Sequence, residues 1–153
     1  MNKKLFILGL LSITAANLTM AFNIACGPPP YKDSRVAPYI KEFEETYHVD
    51  ASFITARLAD GDLIKNQADV VGLCEMNKRR ITFRKDMWDA FGYQEKKILV
   101  FHELGHCVFD RDHRDDVYPD GCPKSIMATF LLRESCFTLH HSDLIKELRE
   151  HRD

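Results

Sequence analysis

What this chain of 153 residues lacks narrows it first. It has no stretch of about 20 predominantly apolar residues, the length a membrane-spanning helix requires. The run from Leu5 to Leu18 is too short and is broken near its end by Asn17 and Thr19. There is no block of like charge either: 21 basic residues stand intermixed with 23 acidic ones, so no basic face offers itself to nucleic acid. No internal repeat appears, which excludes solenoid and propeller architectures. Cysteine is scarce, and its count of five is odd.

The N-terminus reads as an export signal. Lys3 and Lys4 form a positive start, Leu5 to Leu18 an apolar centre, and Thr19-Met20-Ala21 a small-residue cleavage point. A second cut is available after residue 25, because Ile24-Ala25-Cys26-Gly27 resembles the end of a bacterial lipoprotein signal, although Asn23 stands where Leu is usual. There Cys26 would be acylated and would anchor the mature chain to a membrane. Lipidating Cys26 leaves Cys74, Cys107, Cys122 and Cys136, which can form two bridges in any of three pairings. The plainer alternative makes Cys26 a free thiol and Cys107 a small apolar core residue. From Cys26 onwards 128 residues remain, enough for one modest core. Loss of Lys3 and Lys4 leaves 19 basic against 23 acidic residues. The expected organisation is a signal over 1–25 (cleavage near 21 or 25), a Pro-rich tether over 26–35 and a single monomeric domain over 36–153. Its destination is beyond the bacterial inner membrane: periplasmic, envelope-anchored or secreted.

Val36, Ile40, Phe43 and Tyr47 recur at helical spacing, with Pro38 tolerated in the first turn, and predict a helix over 36–47. Alternation of Ile54, Ala56 and Leu58 with Thr55 and Arg57 predicts a strand over 53–58. Two further short strands, 70–74 and 80–84, flank a polar stretch and suggest a hairpin. A helical turn over 86–91 stops at Gly92, and 94–109 is the strongest helix, largely buried through Ile98, Leu99, Phe101 and Val108. Residues 110–124 carry no periodicity and are long for a structureless loop, which points to function or disorder. Ser142 is expected to cap a last helix with Leu144, Ile145 and Leu148 as its buried stripe.

The chemistry concentrates in His102-Glu103-Leu104-Gly105-His106. Residues four apart on a helix lie above one another, so His102 and His106 can offer two imidazole nitrogens to one ion. Zinc suits such a pair, and a catalytic zinc keeps three protein ligands and one open position. Glu103, beside the pair, is the expected general base towards a zinc-activated water and the carrier of its proton to the leaving amine. A five-residue pattern also arises by chance. Against chance stands its place on a buried helix, where polar groups without partners are costly. Two neighbours compete for the third ligand, Asp112 and His113.

At this point the chain resembles the metzincin branch of zinc peptidases. His102-Glu103-Leu104-Gly105-His106 matches the start of the extended pattern, and Ser125-Ile126-Met127 its methionine turn. The middle departs: Phe109 occupies the place of the turning glycine, and the usual count from His102 reaches Asp112. Phe enters the required left-handed conformation only at a penalty, whereas Asp tolerates it. A helix leaving at Asp110 shifts the ligand by one, to His113, and frees Asp112 to orient an imidazole or cap the turn. Asp112 on the metal, with His113 exposed, is the competing assignment. The resemblance implies that Met127 forms a hydrophobic floor under the metal and that an edge strand, 70–74 or 80–84, holds an extended peptide. The tyrosine that often follows the methionine turn is missing from Ala128-Thr129-Phe130, so that stabilising the oxyanion falls to zinc alone or to Tyr118 in the loop. From Val71-Gly72-Leu73-Cys74 through Trp88 to Met127 the chain also looks like small bacterial metallopeptidases that are often lipoproteins.

These readings converge on an α+β zincin fold: a small twisted mixed sheet, an active-site helix and a C-terminal helix. The expected function is zinc-dependent hydrolysis of peptide bonds, by an endopeptidase rather than an exopeptidase, with peptides or proteins as substrates. A non-catalytic zinc-binding envelope lipoprotein is the alternative, and a disulfide-stapled envelope domain with an accidental motif is a second. His48, His140, His141 and His151 are read as surface or capping residues. Glu134 becomes the third ligand only in a thermolysin-like arrangement.

Overall fold

The computed structural model describes residues 30–65 and 67–150, so the signal segment, Cys26 and His151 lie outside the described residues. The fold is α+β, with one small mixed sheet of three strands. Strands β1 (Thr55–Ala59), β2 (Gly72–Glu75) and β3 (Arg80–Arg84) lie in the order β1-β3-β2. Helices α1 (Ala37–Tyr47), α2 (Lys85–Ala90), α3 (Tyr93–Phe109), α4 (Glu134–Leu139) and α5 (His141–Glu150) complete it.

The hairpin expected from the sequence is β2 paired antiparallel with β3, Cys74 opposite Ile81, across a 3-10 turn at Met76–Lys78. Glu75 closes that turn by accepting from Lys78 at 2.7 Å and Arg80 at 2.6 Å. The expectation that β3 could serve as an edge is corrected. It is the central strand, because β1 pairs with its other side in parallel. The open side of β1 is met in turn by the segment before α1, where Ala56 donates its N–H to the Tyr31 carbonyl and Asp33 donates to the Ala56 carbonyl, both at 2.9 Å. The outer side of β2 therefore remains as the edge beside α3. The Arg84 N–H donates to the Val71 carbonyl at 2.9 Å. Since bonded and non-bonded pairs alternate in an antiparallel ladder, Gly72 and Cys74 turn their backbone groups to that outer side.

The alternation read in β3 sends Ile81 and Phe83 into the core, where they meet Ile98, Val100 and Phe101 of α3 and Trp88 of α2. Thr82 on the opposite face is nevertheless buried, covered by Arg57, whose Nε donates to its hydroxyl at 3.1 Å. Helix α1 buries the predicted stripe of Ile40, Phe43 and Tyr47. Phe43 meets Phe101 edge-on at 5.2 Å, and Tyr47 meets Phe109 edge-on at 5.3 Å. Such pairs add about 0.5–1.5 kcal/mol each beyond burial alone and fix α3 against α1.

The C-terminal region differs from its sequence reading. Two helices stand where one was expected, and Ser142 lies inside the first turn of α5 rather than capping it. The first intrahelical bond is accepted by the His140 carbonyl, from Leu144 at 3.0 Å. Helix α4 is too short to show a period, and its buried members are Cys136 and Phe137. Phe137 seats it in the core, and a disulfide ties Cys136 to Cys122 in the preceding loop.

Candidate metal centre

Helix α3 is buried almost all round where it matters: Ile98 to Phe101 and Glu103 to Gly105 are all buried. His102 and His106 lie one turn apart on it. Its end is set by Asp110 in the left-handed conformation, φ 55° and ψ 43°, with the cap N–H bonded to the Gly105 carbonyl. Asp pays less for that conformation than the Phe beside it would. The chain then reverses and brings His113 back to the pair. The three Nε2 atoms stand 3.2 Å (His102 to His106), 3.2 Å (His106 to His113) and 3.3 Å (His102 to His113) apart.

The other ring nitrogens decide what those atoms are. His102 Nδ1 lies 2.8 Å from the Ile126 carbonyl and His106 Nδ1 lies 2.5 Å from the Arg111 carbonyl. A carbonyl oxygen only accepts, so each Nδ1 carries the proton and each Nε2 presents a bare lone pair. Burial holds His102 neutral, its pKa pushed down to about 4 against the opposing Ile126 bond. Burial lowers His106 as well. The lone pairs of His102 and His106, 3.2 Å apart with no proton between them, repel one another, and a cation at that point removes the cost. The donor set therefore fits a metal ion, and these three residues form a group that could hold one.

The remaining sequence candidates fall on either side of this triad. Asp112 is exposed and is not among the converging donors; it acts on His106 only through its charge, raising the pKa that burial lowers. Orientation of the two helical imidazoles comes instead from the main-chain oxygens of Ile126 and Arg111. Met127 is fully buried against α3, and a methyl group on Gly105 would run into its sulfur. Tyr118 stacks on His140 at 3.9 Å. Glu134 is exposed at the start of α4. His48 is the left-handed cap of α1, and the exposed His141 meets Phe137 edge-on at 5.1 Å. Asp120, Cys122 and His140 also cluster, but Cys122 is bridged to Cys136, which leaves no free thiolate for a metal.

Glu103 is 4% exposed, and burial pushes its carboxyl up to about 8, against a backbone hydrogen bond from Cys74. Its carboxylate fills the space a side chain at Gly72 would need. Strand β2 is tied to the same helix by the Cys74–Cys107 disulfide, Cα atoms 5.8 Å apart. Sequence reasoning missed this contact, although an isolated glycine in a strand is itself a sign of close approach. It also missed the bridge, since cysteine pairing is not written locally.

A family model described as "Putative phage metallopeptidase" matches residues 30–129, a span that takes in the triad, Glu103 and Met127. No curated protein matches, and no solved structure matches.

Proposed function

The chain belongs to that metallopeptidase family, and from this premise we propose that it is a zinc-dependent, metzincin-like endopeptidase, with His102, His106 and His113 as ligands and Glu103 as general base. The observation that carries the proposal is the convergence of three Nε2 atoms, two of them left bare by the carbonyl bonds of their Nδ1 partners. A tetrahedral site with Zn–N bonds of about 2.0–2.1 Å has N···N edges of about 3.3–3.4 Å, close to the 3.2, 3.2 and 3.3 Å found. Three imidazoles are a donor set that suits zinc.

When bound, zinc supplies Lewis-acid polarisation of the scissile carbonyl and acidifies a water. The protein's own groups do the rest. Glu103, buried on α3 next to His102, is placed to receive a proton from that water and to return it to the leaving amine. The Cys74 N–H fixes its carboxylate. An extended peptide can add to the outer side of β2 through the backbone groups of Gly72 and the Cys74 carbonyl. Such pairing asks for extended main chain and not for a chain terminus, which favours an endopeptidase. The packing of Met127 against Gly105 supports its reading as the floor of the site.

Export is part of the proposal. The bridges Cys74–Cys107 and Cys122–Cys136 suit an oxidising compartment. They use four of the five cysteines and leave Cys26 as the odd one, in keeping with a lipoprotein anchored in the envelope. A peptide or protein is the substrate class, and the monomer is the acting form.

The test is the zinc content of the purified mature protein beside His113→Ala and Asp112→Ala, prepared without chelator, followed by cleavage of a peptide library with Glu103→Gln as control. One equivalent in the native protein, lost with His113→Ala and kept with Asp112→Ala, is expected. Native protein that takes up no zinc ends the proposal. Zinc uptake without cleavage leaves the non-catalytic binding protein.

A further inference from the structure

His113 differs from the other two imidazoles in what holds it. His102 and His106 ride on a buried helix, whereas His113 is exposed and lies in a segment without regular structure. Its ring meets the other two histidines, Nε2 to Nε2. The segment that carries it is anchored two residues before it by Arg111 and one residue after it by Arg114. Both arginines donate to one oxygen of one carboxylate: Arg111 Nη2 to Glu147 Oε1 at 2.7 Å and Arg114 Nη1 to the same atom at 3.2 Å. The second oxygen, Oε2, accepts from the Ser125 hydroxyl at 2.7 Å, and that hydroxyl accepts the Met127 N–H at 3.0 Å. The Arg114 N–H closes the circuit by donating to the Met127 carbonyl at 2.8 Å.

The arrangement is built into the interior. Arg111 is 5% exposed, and its Nη1 donates to the Glu147 and Leu148 carbonyls at the end of α5, both at 2.9 Å. A cation is favourable at a helix C-terminus, so α5 receives this guanidinium through both its backbone and its side chain. Arg111 also supplies the carbonyl that orients His106.

We propose that Glu147 is a positioning residue of the metal centre: from α5, its carboxylate joins the segment that presents His113 to the turn that carries Met127, and so holds the third imidazole at the distance a metal ion requires. This rests on the reading of His113 as a ligand. Glu147 touches no substrate and acts through Arg111, Arg114 and Ser125. It lies beyond the residues the family model matches.

The test compares Glu147→Ala and Glu147→Gln with Leu144→Val, a buried substitution on the same helix that destabilises without touching the arginines. Zinc affinity is read by competition with a chromogenic chelator, thermal unfolding is followed on the metal-free proteins, and the His113 ring resonances are recorded by NMR in the absence of metal. Glu147→Ala is expected to weaken zinc by about 10- to 100-fold, the usual cost of losing an outer partner of a metal ligand. Glu147→Gln, which keeps an acceptor oxygen, recovers part of the loss, and Leu144→Val binds as the native protein does. Native affinity in both Glu147 variants, with only their unfolding temperature lowered, overturns the proposal and leaves Glu147 as a structural tie. If the native protein itself takes no zinc, the metallopeptidase reading fails separately and the NMR decides the positioning role. A random-coil His113 signal in Glu147→Ala, absent from Leu144→Val, upholds that role, and an unmoved signal ends it.

Discussion

Gly72 on the edge strand lies flush against Glu103 on the long helix, and any side chain at position 72 would occupy the space its carboxylate fills. The contact joins the two elements that the proposed reaction must keep in register, the strand proposed to hold substrate and the helix that carries the proposed base. It also accounts for the depth of Glu103. A strand backbone without a Cβ closes over the carboxylate and excludes water, and that exclusion is what drives its pKa up to about 8.

Gly72→Ala therefore forces either the strand or the carboxylate aside. Overpacking of this kind costs about 1–3 kcal/mol of stability. A displacement of about 1 Å in a catalytic group costs on the order of 100-fold in rate. The expected outcome is a folded protein with native metal content and peptide cleavage reduced by about that factor. Native cleavage rates in Gly72→Ala would show that the base does not need this wall.

Burial of Glu103 gives the metal-free protein a specific dependence on pH. Its folded pKa, raised from 4.5 to about 8, means that the folded state holds the proton where the unfolded state has released it. Stability is then lost as pH rises between those values, with a slope of at most about 1.4 kcal/mol per pH unit. Glu103→Gln has no such proton to lose. Its thermal advantage over the native protein should widen from about pH 5 to about pH 8, measured by calorimetry with metal removed. Parallel curves would mean that the carboxylate is solvated.

The two disulfides should separate by function more than by stability. Bridging residues 33 apart in sequence, Cys74–Cys107 contributes about 3–4 kcal/mol on the chain-entropy account, and Cys122–Cys136, 14 apart, about 3. Cys74→Ala with Cys107→Ala releases β2 from α3, so cleavage is expected to fall along with the unfolding temperature. Cys122→Ala with Cys136→Ala should lower the unfolding temperature by a similar amount and leave β2 in place. Equal losses of cleavage from the two double variants would contradict this division.

Much of this was legible in the sequence where local chemistry decides. The 3.6 period predicted α1 and α3 to within a residue or two, alternation predicted β3 residue for residue, and the reluctance of Phe109 to turn left-handed moved the helix exit to Asp110. What could not be read depends on residues distant in the chain. The central place of β3 comes from a parallel partner across 25 residues. Helix α4 is tied by a disulfide and by the burial of Phe137, and the partners of Glu147 are two arginines from another segment folded onto it.

The oxygens of Ile126 and Arg111 that aim two imidazoles belong to the main chain. Exchanging the side chain of Ile126 leaves its peptide oxygen in place, and at Arg111 an exchange reaches the oxygen only by freeing the segment from α5, so an alanine scan does not delete the groups that orient the two helical imidazoles. Only a change in the path of the backbone reaches them, such as a deletion between Asp110 and Met127 or a proline that redirects the turn. The aim of those two rings is thus more tolerant of point substitution than of a change in loop length.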